Sequence, residues 1–243
     1  MSDLTDRQRQ LLKAIVEAYV KAGEPVGSEY IEKTFNLGVS PATIRHEMVH
    51  LTEMGYLKQL HTSAGRTPTS MGFRLYITEL MKEKALPVSA EVSIREAIWQ
   101  QRHHQQRLLR EAVRSLASRC RMLSLAVDDE GDIFYSGVAH ILDFPEFEDI
   151  DVARFVLSLF DEYPTLNQII GKAVGADPLH ILFGDEMGYE DLNQTGFVFC
   201  KFHGRGSHKG MVGVIGPARM NFPVVLPYVK YTSQLIEEAS RSW

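Results

Sequence analysis

A chain of 243 residues has room for one large domain or two small ones, with enough length for a real core. Its 44% hydrophobic and 23% charged residues are ordinary for a globular protein, and no apolar run approaches the roughly 18 residues of a membrane span. Two cysteines exclude a disulfide framework, the polar opening MSDLTDRQRQ has no signal-peptide core, and a net charge of −5 carries no overall signal for nucleic acid, so a cytoplasmic protein is expected.

From Thr5 to about Ala22, the residues Leu11, Leu12, Ile15, Val16, Tyr19 and Val20 recur at helical spacing as one apolar stripe, which Gly23 closes. A second helix is expected after Ser28, ending near Asn36. Leu37-Gly38 then turns into VSPATIRHEM, where Ser40 can cap a third helix and Pro41 suits its first position. Gly55 stops that helix. Tyr56 to Leu60 reads as a strand and HTSAGRTP as a polar turn. Thr69 can cap a further helix with Phe73, Tyr76, Ile77, Leu80 and Met81 on one face. Helix, helix, helix, strand and small loop is the order of a winged helix-turn-helix.

ALPVSA (85–90) is the linker candidate, dividing the chain into residues 1–86 and 87–243. A long helical run follows to about Arg119, with Ile94, Ile98, Leu108, Leu109, Ala112, Val113 and Leu116 as its stripe and a polar, exposed middle from Gln100 to Arg107. MLSLAV, IFYSGV, LHILFG, GFVFCKF and MVGVIG read as five short strands. Helical patterns at Val152–Phe160 and Leu166–Val174 interrupt them, and an amphipathic helix from about Val224 to Ala239 closes the segment. This reads as a second, α/β domain. Charge is segregated along it. Seven arginines stand against two glutamates from Arg95 to Arg121, and eleven acidic residues stand against one arginine from Asp128 to Glu162. Such blocks can attract DNA locally, or can simply be two solvated faces.

At 100° per residue, the third helix turns Ile44, Met48 and Leu51 to one side. The opposite side shows Ala42, Arg45, His46 and Val49, with Thr43 and His50 at its margin. A helix-turn-helix protein places such a helix in the major groove and contacts base edges with its N-terminal residues. Arg45 can pair with guanine, Ala42 and Thr43 can touch a thymine methyl, and His46 can donate to an acceptor. Free amides behind Ser40-Pro41 can hold a phosphate. The loop from Ser63 to Arg66 is the second candidate, a flexible tip whose arginine can reach a backbone phosphate or the minor groove.

These residues resemble a known family. LTDRQRQLLKAIVEAYVKAGEPVGSEYI, GVSPATIRHEM, GYLKQLHTSAGRTPT and GFRLYI are similar to the N-terminal domain of the heat-inducible transcription repressor HrcA. SGVAHILDFPEFEDI and GVIGPARMNFPVVLPYVKYTSQLI are similar to later blocks of the same family, in the same order. The resemblance implies an α+β fold, an N-terminal winged helix-turn-helix followed by a GAF-like α/β domain. It also implies repression of chaperone operons through an inverted repeat called CIRCE, with modulation by the chaperonin GroEL. An inverted repeat needs two reading heads, so a homodimer on double-stranded DNA is expected. Two departures stand out. The family's third helix usually reads SPATIRND, whereas this chain has His46-Glu47 after Arg45. Family members are also usually longer by an inserted dimerisation domain, absent here between MLSLAV and IFYSGV, which DDEGD joins. The rival reading is a regulator that senses a small molecule in its GAF-like domain.

Other features look like chemistry without supporting it. Cys200, His203 and His208 in CKFHGRGSH fit no zinc spacing, and Cys200 continues a strand alternation. GRGSHKG lacks the ending and context of a P-loop and reads as a hairpin turn. DFPEFEDID reads as an acidic loop capping the helix that follows. No catalytic triad or dyad is apparent, so no enzyme, metal or cofactor is expected.

Overall fold

The computed structural model describes residues 4–35, 37–61, 64–204 and 209–241. The chain divides into two compact units, Met1–Lys82 and Glu83–Trp243.

In the first unit, α1 (Asp6–Ala22), α2 (Ser28–Thr34) and α3 (Pro41–Glu53) surround a small core. Thr5 caps α1 in a capping box with Gln8, and Gly23 ends it in the left-handed region at φ 75°. The expected stripe of α1 is buried at Leu11, Leu12, Ile15 and Val16, whereas Tyr19 and Val20 are only half-buried. Ile31 of α2 and Ile44, Met48 and Leu51 of α3 complete the packing. Each such side chain contributes about 1.5–3 kcal/mol on burial. The expected strand is only two residues long, β1 (Leu57–Lys58). Its antiparallel partner, unforeseen in the polar turn, is β2 (Thr67–Pro68). Thr69 caps α4 (Ser70–Leu75), which widens into one π turn over Tyr76–Leu80.

The second unit is a five-stranded sheet of β3 (Leu123–Val127), β4 (Ile133–Ser136), β5 (Leu179–Phe183), β6 (Thr195–His203) and β7 (Lys209–Pro217). Their order is β4-β3-β7-β6-β5 and every pairing is antiparallel, an arrangement consistent with a GAF-like domain. The five strands match the five apolar segments of the sequence. They read as continuous apolar runs because helices cover both faces. On one face Leu123, Leu125, Phe197, Phe199 and Ile215 meet α7 (Ile150–Ser158) and α8 (Tyr163–Gly171). On the other lie α6 (Gln105–Cys120) and α10 (Phe222–Ser240). The short α9 (Gly184–Met187) follows β5 directly.

The single long helix expected to Arg119 is instead two. The first, α5 (Val88–Gln100), stops before a break at Gln101–His104, and α6 resumes beyond it. No residue from Gln101 to Arg107 is apolar, so nothing there rewards a continuous helix. Uninterrupted from 88 to 120, it would run about 50 Å at 1.5 Å per residue, well beyond strands of four to nine residues.

The structure gives Cys200 and Asp149 plain places in the fold. Cys200 and His203 lie three apart on β6 and so point to opposite faces. Burial pushes the Cys200 thiol up to about 12. His208 lies outside the described residues, among which no three metal-ligating side chains gather. Asp149 caps α7 by accepting from the Asp151 amide at 3.0 Å.

Candidate nucleic-acid interface

The third helix presents the two faces that its periodicity implies. Ile44, Met48 and Leu51 are buried, while Ala42, Arg45, His46 and Val49 are exposed and Thr43 and His50 intermediate. Ser40 Oγ accepts from the Thr43 amide at 3.2 Å and contacts Thr43 Oγ1 at 3.0 Å, so both hydroxyls belong to the cap. That cap narrows the anion site expected at the helix start. Pro41 has no amide hydrogen, Thr43 N is taken by Ser40 Oγ and Ile44 N by Ser40 O, which leaves the amide of Ala42.

Arg45 makes no hydrogen bond or ion pair among the described residues. It lines a cleft of about 380 Å³ with Val26, Ser28, Met48, Val49, Gln59 and Arg66. The cleft runs between α3, the start of α2 and the β1–β2 hairpin.

Arg66 is not on a flexible tip. Its backbone pairs with Val26 in both directions at 2.9 Å, and its Nε donates to Thr52 Oγ1 at 3.1 Å. Thr52 in turn donates to Met48 O at 2.8 Å, so Arg66 is tied to α3 and only its terminal amino groups remain available. Gly65 makes this approach possible, since a Cβ there would stand 2.5 Å from the carbonyl of Val26. Ser63 lies outside the described residues.

The two residues that depart from the SPATIRND pattern have different fates. Glu47 faces inward, 6% exposed, and is held by α1. Arg7 donates to its Oε1 through Nε at 3.0 Å and also through Nη2, and Gln8 Nε2 donates to its Oε2 at 2.9 Å. Burial alone would raise the Glu47 carboxyl. The hydrogen bonds from Gln8 and Arg7 and the positive charge of Arg7 outweigh it and hold the group below its usual value. The same Gln8 closes the capping box through its Oε1, 3.0 Å from Thr5 N. Glu47 is therefore an anchor for α3, and only His46 alters the outward face.

One signal lies outside the expectations drawn from the sequence. His46-Glu47-Met48-Val49-His50 has H-E-x-x-H spacing on a helix, a pattern that places both histidines on one face. Their Nε2 atoms stand 3.1 Å apart, and the rings meet nearly edge to face with centroids 4.5 Å apart. His50 Nδ1 lies 3.3 Å from Glu53 Oε2.

No helix among the described residues is long and apolar enough to cross a membrane.

Comparison with known proteins identifies the family. The chain is 26% identical to the heat-inducible transcription repressor HrcA of Syntrophobacter fumaroxidans, over 98% of its own length and 99% of that protein's. It is 25% identical to the HrcA of Symbiobacterium thermophilum, over 98% and 99%. The HrcA of Pelotomaculum thermopropionicum is 27% identical, over 98% of each. These alignments extend over 344, 338 and 342 positions against a chain of 243, so about a hundred positions of each relative have no counterpart here. A crystal structure of a hypothetical protein shares the fold, with a TM-score of 0.78 at 18% identity over 99% of both chains. Residues 68–226 match the family described as HrcA protein C terminal domain, and on that match the chain belongs to the HrcA family.

Proposed function

We propose that this chain represses heat-inducible genes by reading an inverted-repeat operator of the CIRCE type with α3 of an N-terminal winged helix-turn-helix. The observation that carries the reading is the split of α3. An apolar face and Glu47 are locked inward, while Ala42, Arg45 and His46 stand outward with Arg45 unpaired among the described residues. Such a helix presents its N-terminal side chains to base edges, and Arg45 supplies the bidentate donor that guanine accepts. Arg66 lines the same cleft, which supports a phosphate contact from its terminal amino groups. The β1–β2 hairpin acts as the wing, and Ser40 acts through the cap rather than on DNA.

Two copies on one operator form a homodimer through the second unit, a GAF-like regulatory domain, and chaperonin availability sets the active fraction. On this reading the relatives' additional length belongs at the turn between β3 and β4, and the dimer forms without it.

The test is a gel shift on a chaperone-operon promoter carrying the inverted repeat. Arg45→Ala should lose about 1–3 kcal/mol of specific binding with melting unchanged, because no partner among the described residues is lost. Undiminished specific binding by that variant would overturn the assignment of α3 as the reading helix.

A second reading, a small-molecule-responsive regulator, has one observation behind it. A cleft of about 460 Å³ between α6 and the edge strand β4 is lined by Gln106, Arg110, Arg114, Asp132, Tyr135 and Ser136, a polar set in which two guanidinium groups face one carboxylate. A rise in melting temperature with a carboxylate or phosphate metabolite favours it.

A further inference from the structure

We infer that His46 and His50 form a binding site for a divalent transition-metal ion on the outward face of α3. Two imidazole nitrogens bound to one tetrahedral zinc ion at 2.0–2.1 Å stand about 3.3–3.4 Å apart. The two Nε2 atoms here stand 3.1 Å apart, within a few tenths of that spacing. Helical geometry supplies this proximity, since residues four apart lie one above the other on the same face. A carboxylate stands beside one of the two rings. Glu53 Oε2 sits 3.3 Å from His50 Nδ1, the carboxylate contact that fixes a ligating histidine with its Nε2 directed at a metal. Imidazole pairs suit zinc, copper and nickel, and water completes the coordination, because no third metal-ligating side chain joins them among the described residues.

The H-E-x-x-H spacing is shared with zinc hydrolases, in which the glutamate acts as general base. That role is closed to Glu47. Both of its oxygens are engaged by Arg7 and Gln8 on the buried side of α3. The site therefore binds an ion and does not activate water through Glu47. Its consequence follows from position and rests on the DNA-reading role of α3. An ion held by both Nε2 atoms occupies the edge of His46 that would face a base, so metal and operator compete for the same side chain.

The experiment is a calorimetric titration of zinc sulfate into the full chain, the His46→Ala chain and the His50→Ala chain. Circular dichroism checks that the fold of each is unchanged. One zinc ion per wild-type chain is expected at a site that each substitution weakens about tenfold or more, and Glu53→Gln should weaken it less. Zinc binding of equal affinity in wild type and both histidine variants overturns the site. Absence of zinc binding by the wild type leaves the 3.1 Å contact as a histidine–histidine hydrogen bond and overturns it as well. In a gel shift, zinc should weaken operator binding by wild type but not by His50→Ala. Equal effects on both overturn the competition. If no operator binding is seen without zinc, the DNA-reading role fails while the titration still decides the metal site.

Discussion

Removing Glu47 tests whether α3 is held in its reading position by the first turn of α1. In Glu47→Ala three hydrogen bonds vanish, two from Arg7 and one from Gln8, all to a charged acceptor. Hydrogen bonds to charged groups contribute about 1.5–3 kcal/mol each, but they share one carboxylate and are not additive. Arg7 is 53% exposed and returns to water at little cost, and Gln8 keeps its bond to Thr5. The carboxylate also gives back the desolvation cost of its burial when it is removed. The net loss should be about 2 kcal/mol. Arg7→Ala should cost as much or more, because it leaves the buried carboxylate with Gln8 alone. The double variant should fall short of the sum by about 1 kcal/mol or more. Residues 4–82 contain no tryptophan whose fluorescence would report on α3. Amide hydrogen exchange does report on it. A loss of 2 kcal/mol accelerates exchange at Met48 and Leu51 about 30-fold, with strands β6 and β7 unaffected. Exchange at α3 unchanged in Glu47→Ala, with Arg7→Ala additive to it, would refute the anchor.

Ser40→Ala should destabilise α3 by about 1 kcal/mol through loss of its cap, seen as faster exchange in the first turn of that helix alone. Gly65→Ala forces a Cβ onto the Val26 carbonyl, so it should cost about 1–3 kcal/mol in a melting experiment and also weaken operator binding by displacing Arg66. Asp128 is the pH-sensitive case. Burial raises its carboxyl above the ordinary value, against the amides of Asp132 and Glu130 that donate to Oδ1. A raised folded-state value favours the native state below the unfolded aspartate range, and that contribution is lost as pH rises through the folded value. Asparagine keeps the Oδ1 acceptor without the charge. Asp128→Asn should therefore melt at or above the wild-type temperature at neutral pH, with its advantage fading in acid.

Much of the architecture was legible because short-range rules governed it. Short apolar runs marked all five sheet strands, period-3.6 patterns marked the helices that cover them, and Ser40-Pro41 and Thr69 marked helix starts that the backbone adopts. The outward residues of α3 followed from the same periodicity, since a helix fixes which side chains oppose its buried stripe. Sequence alone determined the composition of that face. Tertiary contacts decided the rest. Nothing local in Glu47 says that Arg7 and Gln8, some forty positions away, will take its carboxylate inward. Nor does the polar turn around Gly65 show that Arg66 will be fastened to Val26 and Thr52 instead of moving freely. The histidine pair shows both limits. Its H-E-x-x-H spacing stood in the sequence, but whether the glutamate sided with the histidines or with the core was settled by a partner on another helix. Charge and periodicity determine which face a residue can occupy. Only the packing of distant segments determines which charges are spent inside and which remain for a ligand.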